Sequence, residues 1–297
     1  MVTKAPIRPR RSVLYMPGSN ARALEKAKTL DVDALILDLE DAVAPDAKGT
    51  ARDQVREAVG SGGYGHRELV IRVNGFSTPW GAEDLDMAIA ARPDAILLPK
   101  VSSPADLDRV AHRLNAARVP GTTRIWAMME TPLAMLNAGA IAAAAANPET
   151  RLDCFVMGTN DLAKETRAAL VPGRAPMRAW LATCVAAARA YGIDIIDGVW
   201  NHLDDDEGFA TECREGIEAG MDGKTLIHPR QIAPCNAAFT PAADDIAWAR
   251  RIIAEFERPE NAARGAIQVD GRMVERLHAE MGARLVAIAD ALAARDM

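Results

Sequence analysis

The stretch RIWAMME (124–130) contains a continuous apolar run, IWAMM, that ends at a single carboxylate. Seven similar runs recur along the chain at intervals of roughly 30 residues, about the length of one strand-plus-helix unit. They are SVLYM (12–16), ALILDL (34–39), LVIRV (69–73), AILLPK (95–100), CFVMG (154–158), DIIDGV (194–199) and KTLI (224–227). Runs without polar alternation are typical of parallel strands buried on both faces. Helix-like segments separate the runs, so the sequence predicts consecutive βα units.

Eight such units in a chain of 297 residues predict a (β/α)8 TIM barrel, which is an α/β fold. A doubly wound sheet is the alternative, but no GxGxxG motif opens the first helix. We expect the barrel over residues 11–232, after a flexible N-terminal arm over residues 1–10. Residues 233–297 carry helical patterns of their own. They predict a C-terminal helical extension that packs on the barrel or on a neighbouring subunit.

Composition excludes several classes of protein. The formal net charge of −6 argues against non-specific binding of nucleic acid, which needs a basic surface. No apolar run reaches the roughly 18 residues of a membrane span. No apolar core follows the basic N-terminal residues, so a secretory signal is not expected. The four cysteines lie far apart, which favours reduced thiols and a cytoplasmic location.

Polar residues at the ends of the predicted strands are the candidate site, because barrel enzymes carry their chemistry there. Glu130 and Asp161 end neighbouring strands, and two carboxylates that leave room for water and substrate are a common Mg²⁺ arrangement. A buried Glu130 needs a partner, since an unpaired charge there would cost several kcal/mol. The alternative is that Glu130 pairs with a lysine and Asp161 caps the following helix.

Arg72 lies within an apolar strand, so we expect its guanidinium to point at the barrel mouth. There it would suit a substrate carboxylate or a developing enolate oxygen. The alternative is a structural ion pair with Asp38 or Glu40. The acidic stretch LDLEDAVAPD supplies Asp38, Glu40 and Asp41, and we interpret these as supports of the site that hold metal-bound water, orient Arg72 or pair with Lys48 and Lys100.

Motifs in a fixed order complete the sequence evidence. They are RSVLYMPGSN, LDLEDAVAPDAK, IRVNG, ILLPKV, METPLAML, MGTNDLA, IDGV and LIHPRQI. With these motifs, the chain from about Arg11 to Gln231 resembles the citrate lyase β-subunit-like proteins, which include malyl-CoA lyases, within the HpcH/HpaI aldolase group. The resemblance implies a (β/α)8 barrel that depends on Mg²⁺, with Mn²⁺ as an alternative, and that acts on CoA thioesters and 2-oxo acids.

The resemblance also implies roles for individual residues. It makes Glu130 and Asp161 the metal ligands and Arg72 the substrate arginine. The contacts to substrate or CoA would be Tyr15, Met16, Lys26, Asn160, Ile227 and His228. Some relatives supply a catalytic aspartate from a neighbouring subunit's C-terminal segment, and Glu275 in GRMVE takes that place here. A homotrimer or hexamer is therefore expected.

The leading functional hypothesis is a carbon–carbon lyase that cleaves or forms a malyl-CoA-like or citramalyl-CoA-like thioester. Its products would be an acyl-CoA and a 2-oxo acid of the glyoxylate or pyruvate class. The first alternative is a malyl-CoA thioesterase, in which the same site delivers water to the thioester. The others are a 2-oxo acid aldolase that does not use CoA and a citrate lyase β subunit that needs carrier and transferase partners.

Overall fold

Eight parallel strands close into a barrel in the computed structural model of the chain, which describes residues 7–295. Each strand pairs with the next in sequence, and the last pairs with the first. The strands are β1 (Ser12–Pro17), β2 (Ala34–Asp38), β3 (Glu68–Arg72), β4 (Ala95–Leu98), β5 (Arg124–Met129), β6 (Leu152–Met157), β7 (Asp194–Asp197) and β8 (Gly223–Leu226). The predicted (β/α)8 barrel and its eight strands are confirmed.

Helices follow every strand of the barrel, and two of them lie between β6 and β7. They are α1 (Ala21–Ala27), α2 (Lys48–Ser61), α3 (Gly81–Ala91), α4 (Pro104–Ala116), α5 (Pro132–Ala143), α6 (Thr159–Thr166), α7 (Arg178–Tyr191), α8 (Asp206–Ala219) and α9 (Ile232–Phe239). Short 3₁₀ turns lie at Pro45–Ala47, Ala144–Ala146, Pro148–Thr150, Pro172–Arg174 and Pro229–Gln231. Between residues 7 and 295, no helix combines the length and apolar character needed to cross a bilayer.

Alternate strand residues form two separate apolar layers. One layer fills the barrel interior and includes Val13, Ile36, Trp126 and Val156, with Tyr15 packed against it. The other layer lies between the strands and the helices and includes neighbours of these residues in sequence, such as Leu14, Leu35, Ile125 and Phe155. Since successive strand residues point to opposite faces, both layers follow from continuously apolar runs.

Arg10 lies at the amino-terminal ends of the strands and is 7% exposed. Its guanidinium contacts Glu68 at 2.7 Å, Asp194 at 2.9 Å and Asp153 at 2.5 Å, which belong to three different strands. It also lies over the Trp126 ring, 4.8 Å from the centroid. The sequence placed Arg10 in a flexible arm, whereas the structure ties it to the barrel. Residues 1–6 of that arm lie outside the described residues.

A second compact unit comprises residues 7–9 and 240–295 of the described chain. It contains α10 (Ala243–Glu257), β9 (Ala266–Val269), β10 (Arg272–Glu275) and α11 (Arg276–Ala293). The antiparallel hairpin β9–β10 was missed by the sequence interpretation, which expected helices only. Its signal was the dipeptide Asp270–Gly271, in which both residues have positive φ, as a type I′ turn requires. The two strands have only four residues each, too few to show a period of two clearly.

Candidate active site

The carboxyl ends of the barrel strands surround a cavity of about 310 Å³. Residues from seven of the eight strands or the loops after them line it, so the fold itself brings together residues that lie far apart in sequence. The lining residues are Tyr15, Asp38, Asp41, Ala42, Arg72, Met128, Glu130, Met157, Gly158, Thr159, Asn160, Asp161, Val199, Thr225 and Ile227. This is the end of the barrel at which the sequence predicted the site.

Glu130 and Asp161, the predicted metal ligands, share one cationic partner. The Nζ atom of Lys100 lies 2.7 Å from Asp161 Oδ1 and 3.6 Å from Glu130 Oε1. The backbone N–H of Lys100 also donates to Glu130 Oε1 at 2.8 Å. A lysine partner for Glu130 was the alternative that the sequence left open. Asp161 lies in the first turn of α6, whose N-cap residue is Gly158.

The second oxygen of the Glu130 carboxylate lacks a partner. Glu130 is fully buried, and within the described residues its Oε2 makes no hydrogen bond. Burial raises the pKa of Glu130 to about 7, although the charge and backbone N–H of Lys100 oppose the shift. Buried polar atoms in native proteins are nearly always hydrogen-bonded or bound to an ion, so this oxygen is available to a ligand.

The backbone around Glu130 is specialised to hold the carboxylate. Lys100 adopts a φ of +55°, in the left-handed region that costs a residue with a side chain about 1 kcal/mol. Gly158 packs directly on Glu130, because an added Cβ would lie 2.4 Å from the Glu130 Cβ and 2.6 Å from its Oε2. The end of β5 is therefore clamped between the residues that follow β4 and β6.

The carboxylate oxygens of Glu130 and Asp161 fit a hard divalent cation whose remaining ligands are water or substrate oxygens. Across residues 7–295, no group of three or more His, Cys, Asp or Glu side chains is arranged to hold a metal. Mg²⁺ is usually bound by one or two carboxylates and completes its octahedron with water or substrate oxygens. The unpartnered Oε2 of Glu130 and the partly exposed carboxylate of Asp161 match that requirement.

Arg72 is fixed by Asp38 through two parallel hydrogen bonds. Its Nε donates to Asp38 Oδ1 and its Nη2 donates to Asp38 Oδ2, both at 2.6 Å. The ring of Tyr15 lies 4.9 Å from the Arg72 guanidinium carbon. Burial opposes the charge on Arg72, but Asp38 more than offsets this and raises the Arg72 pKa well above its usual value. The ion pair that the sequence offered as an alternative is present, and Arg72 nevertheless lines the cavity.

The Nη1 atom of Arg72 makes weaker contacts than the other two nitrogens. It lies 3.3 Å from Asp41 Oδ2, 3.7 Å from Met128 Sδ and 2.9 Å from Glu40 Oε2. The Glu40 contact is close, but its angles do not make a hydrogen bond. Of the three guanidinium nitrogens, Nη1 can therefore donate to a substrate oxygen with the smallest loss of existing hydrogen bonds.

Glu40, in the acidic stretch, has a pKa well above that of an ordinary glutamate. Burial raises its pKa to about 8, although the positive charge of Arg72 opposes the shift. Glu130, Asp41 and Asp38 add to the rise, because a second negative charge nearby disfavours ionisation. One guanidinium cannot neutralise three carboxylates equally, and Asp38 holds the two best hydrogen bonds. Burial and the neighbouring carboxylates therefore favour the protonated form of Glu40 more than that of an ordinary glutamate.

Three of the predicted substrate contacts line the cavity, namely Tyr15, Asn160 and Ile227. Met16 does not, and the expectation for it requires correction. Its side chain is 6% exposed and packs in the layer between strands and helices, because it follows the inward-pointing Tyr15 on β1. Lys26 is exposed on α1, and His228 is exposed beyond β8, where its Nδ1 accepts from the Arg230 backbone N–H.

Glu275, the acidic residue that was predicted to be catalytic, lies in the C-terminal unit. It ends β10, forms the N-cap of α11 and is exposed. Its backbone N–H donates to His278 Nδ1 at 2.9 Å, which fixes the start of the helix. The same unit exposes the apolar side chains of Met273, Leu277 and Met281.

Sequence reasoning missed a buried ion network beside the cavity. Lys224 Nζ contacts Glu212 at 2.5 Å and Asp197 at 3.2 Å, and Arg174 Nη1 contacts Asp197 at 2.6 Å. Asp197 and Lys224 were recognisable as polar residues at strand ends. Arg174 and Glu212 come from a loop and a helix, where no periodic pattern distinguishes a buried charge from an exposed one.

The sequence profile of the HpcH/HpaI aldolase/citrate lyase family matches residues 11–229 of this chain. The chain belongs to that family. The family expected from the ordered motifs is therefore confirmed, and its profile covers the barrel described above.

Two relatives within the HpcH/HpaI aldolase/citrate lyase family bear different names. The (3S)-malyl-CoA thioesterase of Cereibacter sphaeroides is 50% identical over 286 residues, which are 96% of each chain. The citrate lyase subunit beta of Escherichia coli is 32% identical and aligns with 90% of this chain and 89% of its own. The family thus contains both thioester hydrolases and subunits of a lyase.

A solved family structure has the same architecture. It is the CitE protein of Mycobacterium tuberculosis in complex with magnesium, acetoacetate and coenzyme A. It aligns with 95% of this chain and 98% of its own, at a TM-score of 0.73 and 29% identity.

Proposed function

We propose that this chain hydrolyses a (3S)-malyl-CoA-like thioester in a Mg²⁺-dependent reaction, releasing the free hydroxy acid and CoA. The observation that carries the proposal is the 50% identity, over 96% of both chains, to a relative named as a thioesterase. Carbon–carbon cleavage, the leading hypothesis from sequence, becomes the second candidate. It is supported by the family profile and by the 32% identity to a citrate lyase β subunit.

Glu130 and Asp161 are the proposed metal ligands, and Mg²⁺ is the proposed ion, with Mn²⁺ as an alternative. Support comes from the buried, unpartnered Oε2 of Glu130 and from the magnesium in the related CitE structure. When bound, the ion supplies Lewis-acid polarisation of substrate oxygens. Gly158 and the backbone N–H of Lys100 would hold the Glu130 carboxylate in position.

Arg72 is the proposed stabiliser of negative charge on the substrate. Its Nη1 makes only long hydrogen bonds, to Asp41 at 3.3 Å and to Met128 Sδ at 3.7 Å, while Asp38 fixes the other side of the guanidinium through two bonds at 2.6 Å. A donor held rigidly in a buried site stabilises a developing oxyanion without reorganising. In hydrolysis this oxyanion forms at the thioester carbonyl, and in carbon–carbon cleavage it forms at the enolate of the departing acyl-CoA.

CoA is the proposed carrier of the acyl group. Tyr15, Asn160 and Ile227 would contact the thioester portion, because they line the cavity. Lys26 and His228 are exposed and would meet the rest of the cofactor, Lys26 at its phosphates. The related CitE structure contains coenzyme A, which supports a CoA-dependent reaction.

Glu275 is the proposed general base, supplied by a neighbouring subunit of a homotrimer or hexamer. The proposal rests on the resemblance of GRMVE to the motif that provides this acid in relatives. Exposure of Glu275 beside Met273, Leu277 and Met281 supports it, because apolar side chains at a protein surface favour association. The base would take a proton from water in hydrolysis, or from the substrate hydroxyl in cleavage.

Product analysis distinguishes the two reactions. Purified protein is incubated with malyl-CoA and Mg²⁺, and products are separated chromatographically. Hydrolysis gives malate and free CoA thiol, whereas cleavage gives glyoxylate and acetyl-CoA without free thiol. Glu130→Gln is the inactive control. Glyoxylate and acetyl-CoA as the main products would reject the hydrolase, and turnover that appears only with an acyl-carrier protein would indicate a subunit role.

Mixed oligomers test the contribution of Glu275. Glu130→Gln and Glu275→Gln chains should each be inactive alone. If Glu275 acts on a neighbouring barrel, co-expression of the two chains restores roughly a quarter of the sites by random assembly. No recovery above the separate chains would show that Glu275 does not act between subunits.

A further inference from the structure

We infer that the Lys100 ammonium acts as an internal counter-ion, which binds both carboxylates and opposes the binding of a divalent cation there. The inference rests on the proposed metal site, and it assigns a role to a residue that the reaction itself does not require. Lys100 would be a positioning residue that sets the metal affinity.

Two separate contacts connect Lys100 to Glu130, and only one of them competes with a metal ion. The backbone N–H donates to Glu130 Oε1 at 2.8 Å and keeps the carboxylate in place. The side-chain Nζ lies 2.7 Å from Asp161 Oδ1 and 3.6 Å from Glu130 Oε1. The ammonium occupies Asp161 Oδ1 and its positive charge repels a cation at the neighbouring oxygens, so this side-chain contact opposes metal binding.

The Lys100 side chain has room to leave. It is 38% exposed, whereas that of Glu130 is fully buried. It lines a different cavity of about 350 Å³, together with Asn74, Ser77 and Arg109. Rotation of the side chain alone would therefore carry the ammonium from the two carboxylates toward that cavity, while the backbone hydrogen bond to Glu130 stays intact.

The charge balance explains the role of the ammonium. Without a cation, Glu130 and Asp161 would place two negative charges in a partly buried site, and like charges this close repel. The ammonium offsets one of these two charges in the metal-free protein. The same attraction opposes metal binding, so the chain binds Mg²⁺ more weakly than the two carboxylates alone would.

Calorimetric Mg²⁺ titration of EDTA-treated, dialysed protein tests the inference. Lys100→Met and Lys100→Gln keep the backbone N–H and remove the charge. Both should bind Mg²⁺ at least about tenfold more tightly than wild type, because a competing charge at contact distance is lost. Lys164→Met, an exposed lysine on the helix that carries Asp161, should stay within about twofold of wild type.

Thermal unfolding provides a second readout. In EDTA, the two Lys100 variants should unfold at a lower temperature than wild type, and saturating Mg²⁺ should raise their midpoint further than it raises that of wild type. Unchanged or weaker Mg²⁺ binding in both variants would overturn the inference about Lys100 but would not contradict the proposed metal site. No Mg²⁺ binding by wild type would instead reject the metal site and the inference together.

Discussion

Gly158 and Glu130 touch so closely that no side chain fits between them. A Cβ added to Gly158 would lie 2.4 Å from the Glu130 Cβ and 2.6 Å from its Oε2. Both distances are well inside van der Waals contact, so any larger residue must push Glu130 aside. The contact makes the position of the carboxylate depend on a residue that has no functional group of its own.

Gly158→Ala should therefore reduce kcat/KM at least about a hundredfold, because a displacement of about 1 Å at a reacting centre has an effect of this size. Steady-state kinetics and Mg²⁺ calorimetry measure the loss. Gly139→Ala is the matched control, since an added Cβ there meets nothing within 4 Å. Gly139 lies inside α5, and we expect that control to gain stability and keep full activity.

Glu130→Gln and Asp161→Asn should each weaken Mg²⁺ binding at least about a hundredfold. Loss of an outer partner of a metal ligand already costs about 10- to 100-fold, and a direct ligand should cost no less. Calorimetry gives the affinity, and circular dichroism checks that the barrel is intact. Glu149→Gln, at an exposed carboxylate, is the control. Wild-type affinity in either site variant would contradict the ligand assignment.

Glu40→Gln should be more stable than wild type at high pH. The pKa of Glu40 is raised from 4.5 to about 8 by burial, so this group favours the fold when protonated. Its contribution is complete below about pH 4.5 and is lost as the pH rises through 8. Glutamine does not ionise, and the advantage of the variant in unfolding free energy should grow from pH 5 to pH 9.

Urea unfolding across that pH range measures the Glu40 effect. Glu57→Gln, at an exposed position on α2, should follow the wild-type profile at every pH. Parallel curves for Glu40→Gln and wild type would show that Glu40 ionises normally in the folded protein.

Lys224→Met should destabilise the barrel by about 3–5 kcal/mol, because it leaves buried Asp197 and Glu212 with too few partners. Lys224 is fully buried and also donates to the Gly198 carbonyl at 2.6 Å. Chemical denaturation measures the change in unfolding free energy. Lys164→Met, exposed on α6, should change it by no more than about 0.5 kcal/mol. A similarly small change at Lys224 would mean that the network contributes little.

The barrel was predictable because its signal is repeated. Each strand is a short apolar run, and each run recurs after a helix, so an error in one unit does not change the fold. The strand ends then predicted which residues would lie together, and Arg72, Glu130 and Asp161 do line one cavity, as does Tyr15, which the resemblance implied.

Side-chain partners were much less predictable. Lys100 contacts both carboxylates from a backbone with a positive φ, and the sequence AILLPK reveals neither feature. The direction of Met16 could have been inferred from strand alternation, once Tyr15 was placed inside the barrel. The β9–β10 hairpin rests on one turn, Asp270–Gly271, and its strands are too short to stand out from the helix that follows.

Two structural requirements at Lys100 favour different residue types. Its left-handed backbone suits glycine, while its contact with Asp161 needs a long cationic side chain. A change to glycine would relieve the backbone and keep the N–H bond to Glu130, but it would surrender the counter-ion. The backbone at this position therefore favours glycine whereas the ionic contact requires a long cation, and no single residue type satisfies both requirements.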